Sequence, residues 1–362
     1  MNIHASRREF LHLAALAGGS LALAGVPGRV FARTRAVSVL AEPSMYTAMP
    51  LPDGGMAGLR IAALMGDGGN SLVAGDGKGG WSLLIDTKNA PLGSMLRASG
   101  AAMGGADFSK GERLVINTHH HGDHTGGNWA FTQGEGGAVP ILAHANAQPR
   151  VLAQTKQYLG SVARVVKDLQ GSDKPEGTAA LPFAREYMAK AESFKPEAWA
   201  PTKTISGEKN EISVGALKVE AYHFGPGHTD NDLVLRLPDQ NTLHMGDLLF
   251  HNNWPFIDRS ALADTMAWMK VLGEAVKLCD AKTVVIPGHG DLTDVEGLKA
   301  MIVFFERVRA VVGEAITAGK KREDVVKMEP AEFAARGLKQ IRERTLGGVY
   351  DELTGVAYAA PK

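Results

Sequence analysis

Residues 119–124 read His-His-His-Gly-Asp-His, so His119, His121, Asp123 and His124 crowd into one H-x-H-x-D-H array. Imidazole and carboxylate donors at this density suit divalent metal ions. The apolar run Leu114–Asn117 predicts a short buried strand directly before the array. On an extended backbone, H-x-H places His119 and His121 on the same side. Gly122 permits a tight bend, so that Asp123 and His124 address a neighbouring position. Thr125-Gly126-Gly127-Asn128 then starts a helix. One loop can thereby feed two metal positions about 3.5–4 Å apart.

Three later segments offer further donors. Gly225-Pro226-Gly227-His228-Thr229 follows the β-like run 217–224, His244-Met245-Gly246-Asp247 ends the run 242–245, and Pro287-Gly288-His289-Gly290 follows the run 283–286. Each time a rigid strand carries the donor and a glycine-rich turn aims it. One histidine after a strand is a weak signal. Four such segments in one chain point to metal binding.

The elements that must position these donors are legible around them. Ser71–Ala74 and Trp81–Ile85 flank Gly75-Asp76-Gly77-Lys78-Gly79-Gly80, a hairpin signal. Asp86-Thr87 closes the second run, Leu92–Ser99 reads as a short helix, and Pro140–Ala143 as a strand. A helix-favouring stretch from Ala147 to Leu169, a break at Gly171–Gly177 and a second helix from Phe183 to Ser193 form an insert over 147–200. Strands resume near Thr202 and recur at 212–214, 217–224, 233–237 and 242–245, with Pro238-Asp239-Gln240-Asn241 as a turn. Ala261–Leu278 reads as an amphipathic helix and Thr283–Ile286 as a strand. Helices fill most of the chain from Val295 onward, broken at Gly319, Pro330 and Gly347-Gly348.

The chain has 362 residues, 44% apolar and 22% charged, a soluble globular balance with room for a sizeable core. Its formal net charge is zero, which gives no sign of a nucleic-acid partner. Ser6-Arg7-Arg8-Glu9-Phe10-Leu11, the mild apolar stretch His12–Val26 and Val30-Phe31-Ala32 have the form of a twin-arginine export signal over 1–32. The stretch is short and rich in Ala and Gly for a membrane span. The expectation is therefore a periplasmic or secreted protein, delivered by the twin-arginine machinery, with no stable span after cleavage. Loss of 1–32 leaves a net charge of −2. The single cysteine, Cys279, excludes an intramolecular disulfide and reads as a small buried apolar residue.

Together, Thr118-His119-His120-His121-Gly122-Asp123-His124, Gly227-His228-Thr229, Gly246-Asp247 and Pro287-Gly288-His289-Gly290 resemble the metallo-β-lactamase superfamily of binuclear hydrolases, over residues 59–300. The resemblance implies an α/β (α+β) fold, a four-layer αββα sandwich. It implies two Zn2+ per chain, with iron or manganese as possible substitutes, and a glyoxalase II-like ligand set. By that likeness His119, His121 and His228 hold metal one, Asp123, His124 and His289 hold metal two, and Asp247 bridges both. Asp86 stands where the family often has a supporting carboxylate. The implied organisation is a signal at 1–32, an N-terminal arm at 33–58, the metal domain at 59–300 and a C-terminal helical extension at 301–362 packed on the same domain.

A metal-bridged hydroxide attacking a carbonyl ester, thioester or lactone of a small-molecule substrate is the expected chemistry, with Asp123 and Asp247 as catalytic residues. No Gly-x-Ser-x-Gly elbow competes with it. β-Lactam hydrolysis is one alternative. It is disfavoured by Asp247, because one lactamase group carries a Cys ligand there. An iron-dependent sulfur dioxygenase is another, disfavoured by the complete second ligand set. A non-catalytic metal-binding protein is a third. The insert is a candidate lid with Tyr158, Tyr187 and Trp199 as pocket residues, although ordinary core or surface roles suit these aromatics better. His251, Asn253 and Trp254 are weaker candidates for the cleft. His120, His144, His223 and His244 read as packing or supporting groups.

Overall fold

The computed structural model of the chain describes residues 47–66, 68–134, 136–155 and 175–357. The export signal at 1–32, the arm up to residue 46 and Tyr158 lie outside these residues. The fold is mixed α/β, with two sheets flanked by helices. One sheet has seven strands in the order β1 (Thr47–Pro50), β2 (Arg60–Met65), β3 (Ser71–Gly75), β4 (Trp81–Ile85), β5 (Glu112–Ile116), β6 (Ile141–His144) and β7 (Lys203–Ile205). The other has five, numbered β8 (Lys209–Val214), β9 (Leu217–Tyr222), β10 (Val234–Leu237), β11 (Thr242–His244) and β12 (Val284–Ile286), in the order β12-β11-β10-β9-β8.

By contacts the chain divides into two compact units. The first takes residues up to Asn117, His121–Leu142 and Pro149–Thr202; the second takes Thr118–His120, Ala143–Gln148 and Lys203–Lys362. In the first unit β1 to β4 form an antiparallel meander, and β3 pairs β4 with Ala74 opposite Leu83, the expected hairpin. β4 and β5 are parallel, joined through helix α1 (Gly93–Gly104). β3 and β4 are buried at every position, as central strands covered on both faces must be. Leu64, Val73, Leu84, Val115 and Ile141 meet Leu96, Trp129 and Phe131 in one core. Tyr187 and Trp199 belong to that same core and are fully buried, so neither serves as a lid residue facing a substrate. Large rings at these positions fill the core, with the Tyr187 ring 5.2 Å from that of Trp129.

The second half of the array lies in the short helix α2 (Gly122–Thr125), and the short helix α3 (Trp129–Thr132) follows. The helix in the insert, α4 (Pro175–Ala191), begins eight residues before the expected start and runs through Pro182.

The second unit is built on the antiparallel β8, β9, β10 and β11 with β12 added in parallel. Helix α5 (Thr265–Lys277) buries Trp268, Val271, Leu272 and Ala275, one face of a 3.6-residue period. Helix α6 (Val295–Thr317) buries Leu298, Met301, Phe304, Phe305, Val308 and Val312 in the same core. It stops before Gly319, whose φ of +79° no other residue adopts cheaply. Helices α7 (Arg322–Val325) and α8 (Arg342–Leu353) complete the unit.

The single helix expected over 261–278 is interrupted. The Asp258 carboxylate accepts from the Ser260 and Ala261 N–H groups of a 3-10 turn, Leu262 takes a left-handed φ of 64°, and the Asp264 carboxylate caps α5 through Ala267 N–H. Side-chain capping overrides the apolar period here. Among the described residues no helix is long and apolar enough to cross a membrane.

Candidate metal centre

In the second unit the donors converge on Asp247, which sits in the turn after β11 and is almost fully buried. His119 Nε2 lies 3.8 Å from Asp247 Oδ2, and His228 Nε2 lies 3.4 Å from the same oxygen. His289 Nε2 lies 3.4 Å from the other oxygen, Oδ1. These separations are long for N–H···O bonds. The two of 3.4 Å match the edge of a tetrahedron with metal–ligand bonds of about 2.0–2.2 Å, which is roughly 3.4 Å. One ligand atom each from His119, His228 and Asp247 lies within a 4.8 Å sphere of mutual separation. The donor set therefore fits a divalent cation, and the two oxygens of Asp247 face different imidazoles.

The surroundings fix these rings. Thr118 Oγ1 is 3.0 Å from His119 Nδ1, leaving Nε2 for the centre. The His228 ring sits 5.1 Å from Trp268 and 5.7 Å from Phe250, and Phe250 stacks on His289 at 4.9 Å. Asp232 clamps the turn after His228, accepting from Thr229 N–H at 2.8 Å and Thr229 Oγ1–H at 2.6 Å. His251 N–H donates to the His289 carbonyl at 2.9 Å. Gly288 packs directly on Asp247, and a Cβ there would overlap Asp247 Oδ1 and the Gly246 backbone. Glycine in Pro287-Gly288-His289 is thus demanded by close approach.

In the first unit His121 is the half-buried, extended residue that opens α2, and its carbonyl accepts from His124 N–H at 3.1 Å and Thr125 Oγ1–H at 3.0 Å. Gly122 makes no left-handed bend; it begins α2, and the helical turn itself re-aims Asp123 and His124. His124 Nε2 is 3.8 Å from Asp123 Oδ2. Its other nitrogen, Nδ1, is 2.7 Å from Asp86 Oδ2, with both side chains fully buried. Asp86 thus has the contact expected of a supporting carboxylate, holding the Nδ1 proton and leaving Nε2 as the donor atom.

The loop after β4 is strained to achieve this. Asp86 and Lys88 both take positive φ, 59° and 61°. Lys88 is fully buried and donates through Nζ to the carbonyls of Leu64 (3.1 Å), Gly66 (2.5 Å) and Gly69 (2.8 Å). Gly69 in turn packs against the His124 ring, where a Cβ would overlap the imidazole. Behind them, Asn117 and Asn128 bond each other and the His124 and Trp199 carbonyls.

The remaining histidines have other occupations. His120 Nδ1 is 3.0 Å from Asn231 Nδ2, and its Nε2 is 3.9 Å from Asp258. His244 Nδ1 accepts from Gly246 N–H at 3.2 Å. His144 stacks on His223 at 4.0 Å between ring centroids. Burial, and then the neighbouring His223, push the His144 imidazole down to about 4. Trp254 packs in the second core against Phe304 and Phe333. Cys279 is half-buried, and burial pushes its thiol up to about 11, so it is an inert small residue. Asp232, Asp258, Lys88 and Asn231 were not legible as site residues, because isolated polar residues in loops carry no spacing signal.

The family model described as "Metallo-beta-lactamase superfamily" matches residues 110–289, just under half of the chain. A curated protein named metallo-beta-lactamase type 2 from Bacteroides fragilis is 28% identical over 110 residues, covering 30% of this chain and 41% of that protein. One of the same name from Bacillus cereus is 29% identical over 83 residues, covering 23% and 32%. The chain thus spans less than half the length of the curated relatives it matches. Similar solved structures are a metallo-beta-lactamase from Pontibacter korlensis (18% identity, 72% of this chain and 94% of that one, TM-score 0.44) and the DIM-1 metallo-beta-lactamase (18%, 73% and 98%, TM-score 0.45). Residues 110–289 are thus similar to the metallo-beta-lactamase superfamily model, and that stretch contains the His/Asp cluster around Asp247.

Proposed function

We propose that the chain is an exported hydrolase that binds two zinc ions and cleaves a carbonyl ester, thioester or lactone. His119, His121 and His228 would hold the first ion and Asp123, His124 and His289 the second, with Asp247 able to serve both. The observation that carries this reading is the pose of Asp247, with Oδ2 towards His119 and His228 and Oδ1 towards His289. When bound, the ions supply Lewis acidity and lower the pKa of a water in the site.

The chain's own residues do the rest. Asp86 keeps the proton on His124 Nδ1. Thr118 orients His119, and Phe250 and Trp268 exclude water from behind His228. Asp123, about one-third exposed, would accept a hydrogen bond from the attacking water and orient it. No side-chain nucleophile is required.

The test is a hydrolysis screen of purified, metal-quantified protein lacking residues 1–32, with Asp123→Ala as control. Saturable turnover of an ester, thioester or lactone, lost in Asp123→Ala, supports the reading. Stoichiometric iron with oxygen-dependent thiol oxidation would replace it with dioxygenation. A second reading, β-lactam hydrolysis, is favoured by the two curated relatives, both of them metallo-beta-lactamases by name. A penicillin and a carbapenem in the same screen decide between them.

A further inference from the structure

Lys88, in the loop after β4, is fully buried, and no step of the proposed chemistry uses it. An ammonium has three N–H donors. Three carbonyls stand around this one: Leu64 at 3.1 Å, Gly66 at 2.5 Å and Gly69 at 2.8 Å. They belong to the end of β2 and to the turn that leads into β3. Gly66 N–H closes the same turn by donating to Asn70 Oδ1 at 3.0 Å. A buried ammonium is costly unless its donors are met, and buried carbonyls are costly without a donor. The turn and Lys88 therefore depend on each other.

That turn also rests on two of the ligands proposed for the second ion. Gly69 N–H donates to the Asp123 carbonyl at 3.0 Å. Gly69 lies so close to the His124 ring that a Cβ would overlap the imidazole, and a Cβ on Gly68 would crowd the Asp123 carbonyl. The neighbours of Lys88 hold the same histidine. Asp86 Oδ2 is 2.7 Å from His124 Nδ1, and Thr87 N–H donates to the His124 carbonyl at 2.8 Å. Consecutive residues thus bear on one ligand: Asp86 on its ring, Thr87 on its backbone, and Lys88 through the turn packed against it. Asp86 and Lys88 both take left-handed φ, a strain that persists only where the surroundings over-determine it.

We infer that Lys88 is a positioning residue for the second cation: by gathering the carbonyls of Leu64, Gly66 and Gly69 it seats Gly69 against Asp123 and His124 and so fixes the direction of His124 Nε2. The inference rests on the two-ion reading for the ion it affects, but the effect on His124 itself needs no metal. Linkage adds a reciprocal effect. If the turn fixes these ligands, a cation held by them steadies the turn to the same degree. A lysine that merely stabilised the first core would do neither. Its loss would lower stability and weaken both ions alike.

The experiment compares the full chain with Lys88→Met, which keeps an unbranched body and removes the donors, and with Ile141→Ala, a cavity elsewhere in the first core. In the metal-free protein the His124 Nδ1 proton, shared with Asp86, should give a slowly exchanging NMR resonance, assigned by its loss in His124→Ala. Lys88→Met is expected to lose or broaden it. In zinc–chelator competition the same variant should weaken the second ion about tenfold or more and leave the first unchanged. Ile141→Ala should lower thermal stability and keep both the resonance and the two affinities. A retained resonance in Lys88→Met, equal weakening of both ions there, or the same losses in Ile141→Ala would each overturn the inference. If Lys88→Met does not fold, or the proton exchanges too fast to observe, the Gly69 amide of the unaltered chain decides. Its hydrogen exchange should slow on zinc loading, and an unchanged rate would overturn the inference. Fewer than two ions in the unaltered chain would contradict the binuclear reading alone, because the metal-free resonance still decides the role of Lys88.

Discussion

At the residue scale, the His119 and His124 imidazoles are each oriented by a partner on the nitrogen turned away from the centre. Asp86 does this for His124 at 2.7 Å. Replacing a group behind a metal ligand typically weakens metal binding about 10–100-fold. Asp86→Ala is therefore expected to lose zinc affinity by that factor in chelator competition, with its circular dichroism spectrum unchanged. His144 reports a different effect. Its imidazole is pushed from 6.5 down to about 4 by burial and by His223. A depressed imidazole favours the folded state fully above pH 6.5, and that contribution is lost as pH falls towards 4. NMR titration should find His144 neutral at pH 5.5, and His144→Gln should flatten the stability loss between pH 6.5 and 4. The ligand types and their order were legible in the sequence, because H-x-H-x-D-H and glycine-flanked histidines after strands carry their own spacing. The residues behind them were not. Lys88 and Asp232 act through contacts that only the folded loops create.

At the element scale, strands deliver the donors and turns aim them. Gly288 has no room for a side chain beside Asp247. Gly288→Ala should displace Asp247 and lower bound metal, measured by elemental analysis, more than it lowers thermal stability. A second device fixes α5 against α8 and α6. The buried Glu352 accepts from Thr265 N–H and Oγ1–H and from Arg309 at 3.0 Å. Removing it leaves the Arg309 guanidinium without its carboxylate. Glu352→Ala is expected to cost about 3 kcal/mol in urea unfolding, with Glu352→Gln milder. Strand positions were read closely, because β3, β4 and β12 are short apolar runs bounded by glycine or proline. The start of α5 was misjudged, because Ala261 and Ala263 are apolar and in period while Asp258 and Asp264 cap two separate turns.

At the scale of the whole molecule there are two hydrophobic cores, one around Phe131 and Trp199 and one around Trp268 and Phe305. The donors are divided between the units: His119, His228, Asp247 and His289 fall in the second, and His121, Asp123 and His124 in the first. The theme of a strand followed by a ligand loop recurs along the sequence, before His119, His228, Asp247 and His289. The most direct measurement is the bound-metal count after equilibrium dialysis against zinc. The chain is expected to retain two ions, with about one retained in His289→Ala and in His228→Ala. Fewer than one ion in the unaltered chain, or two in both variants, would contradict a binuclear centre.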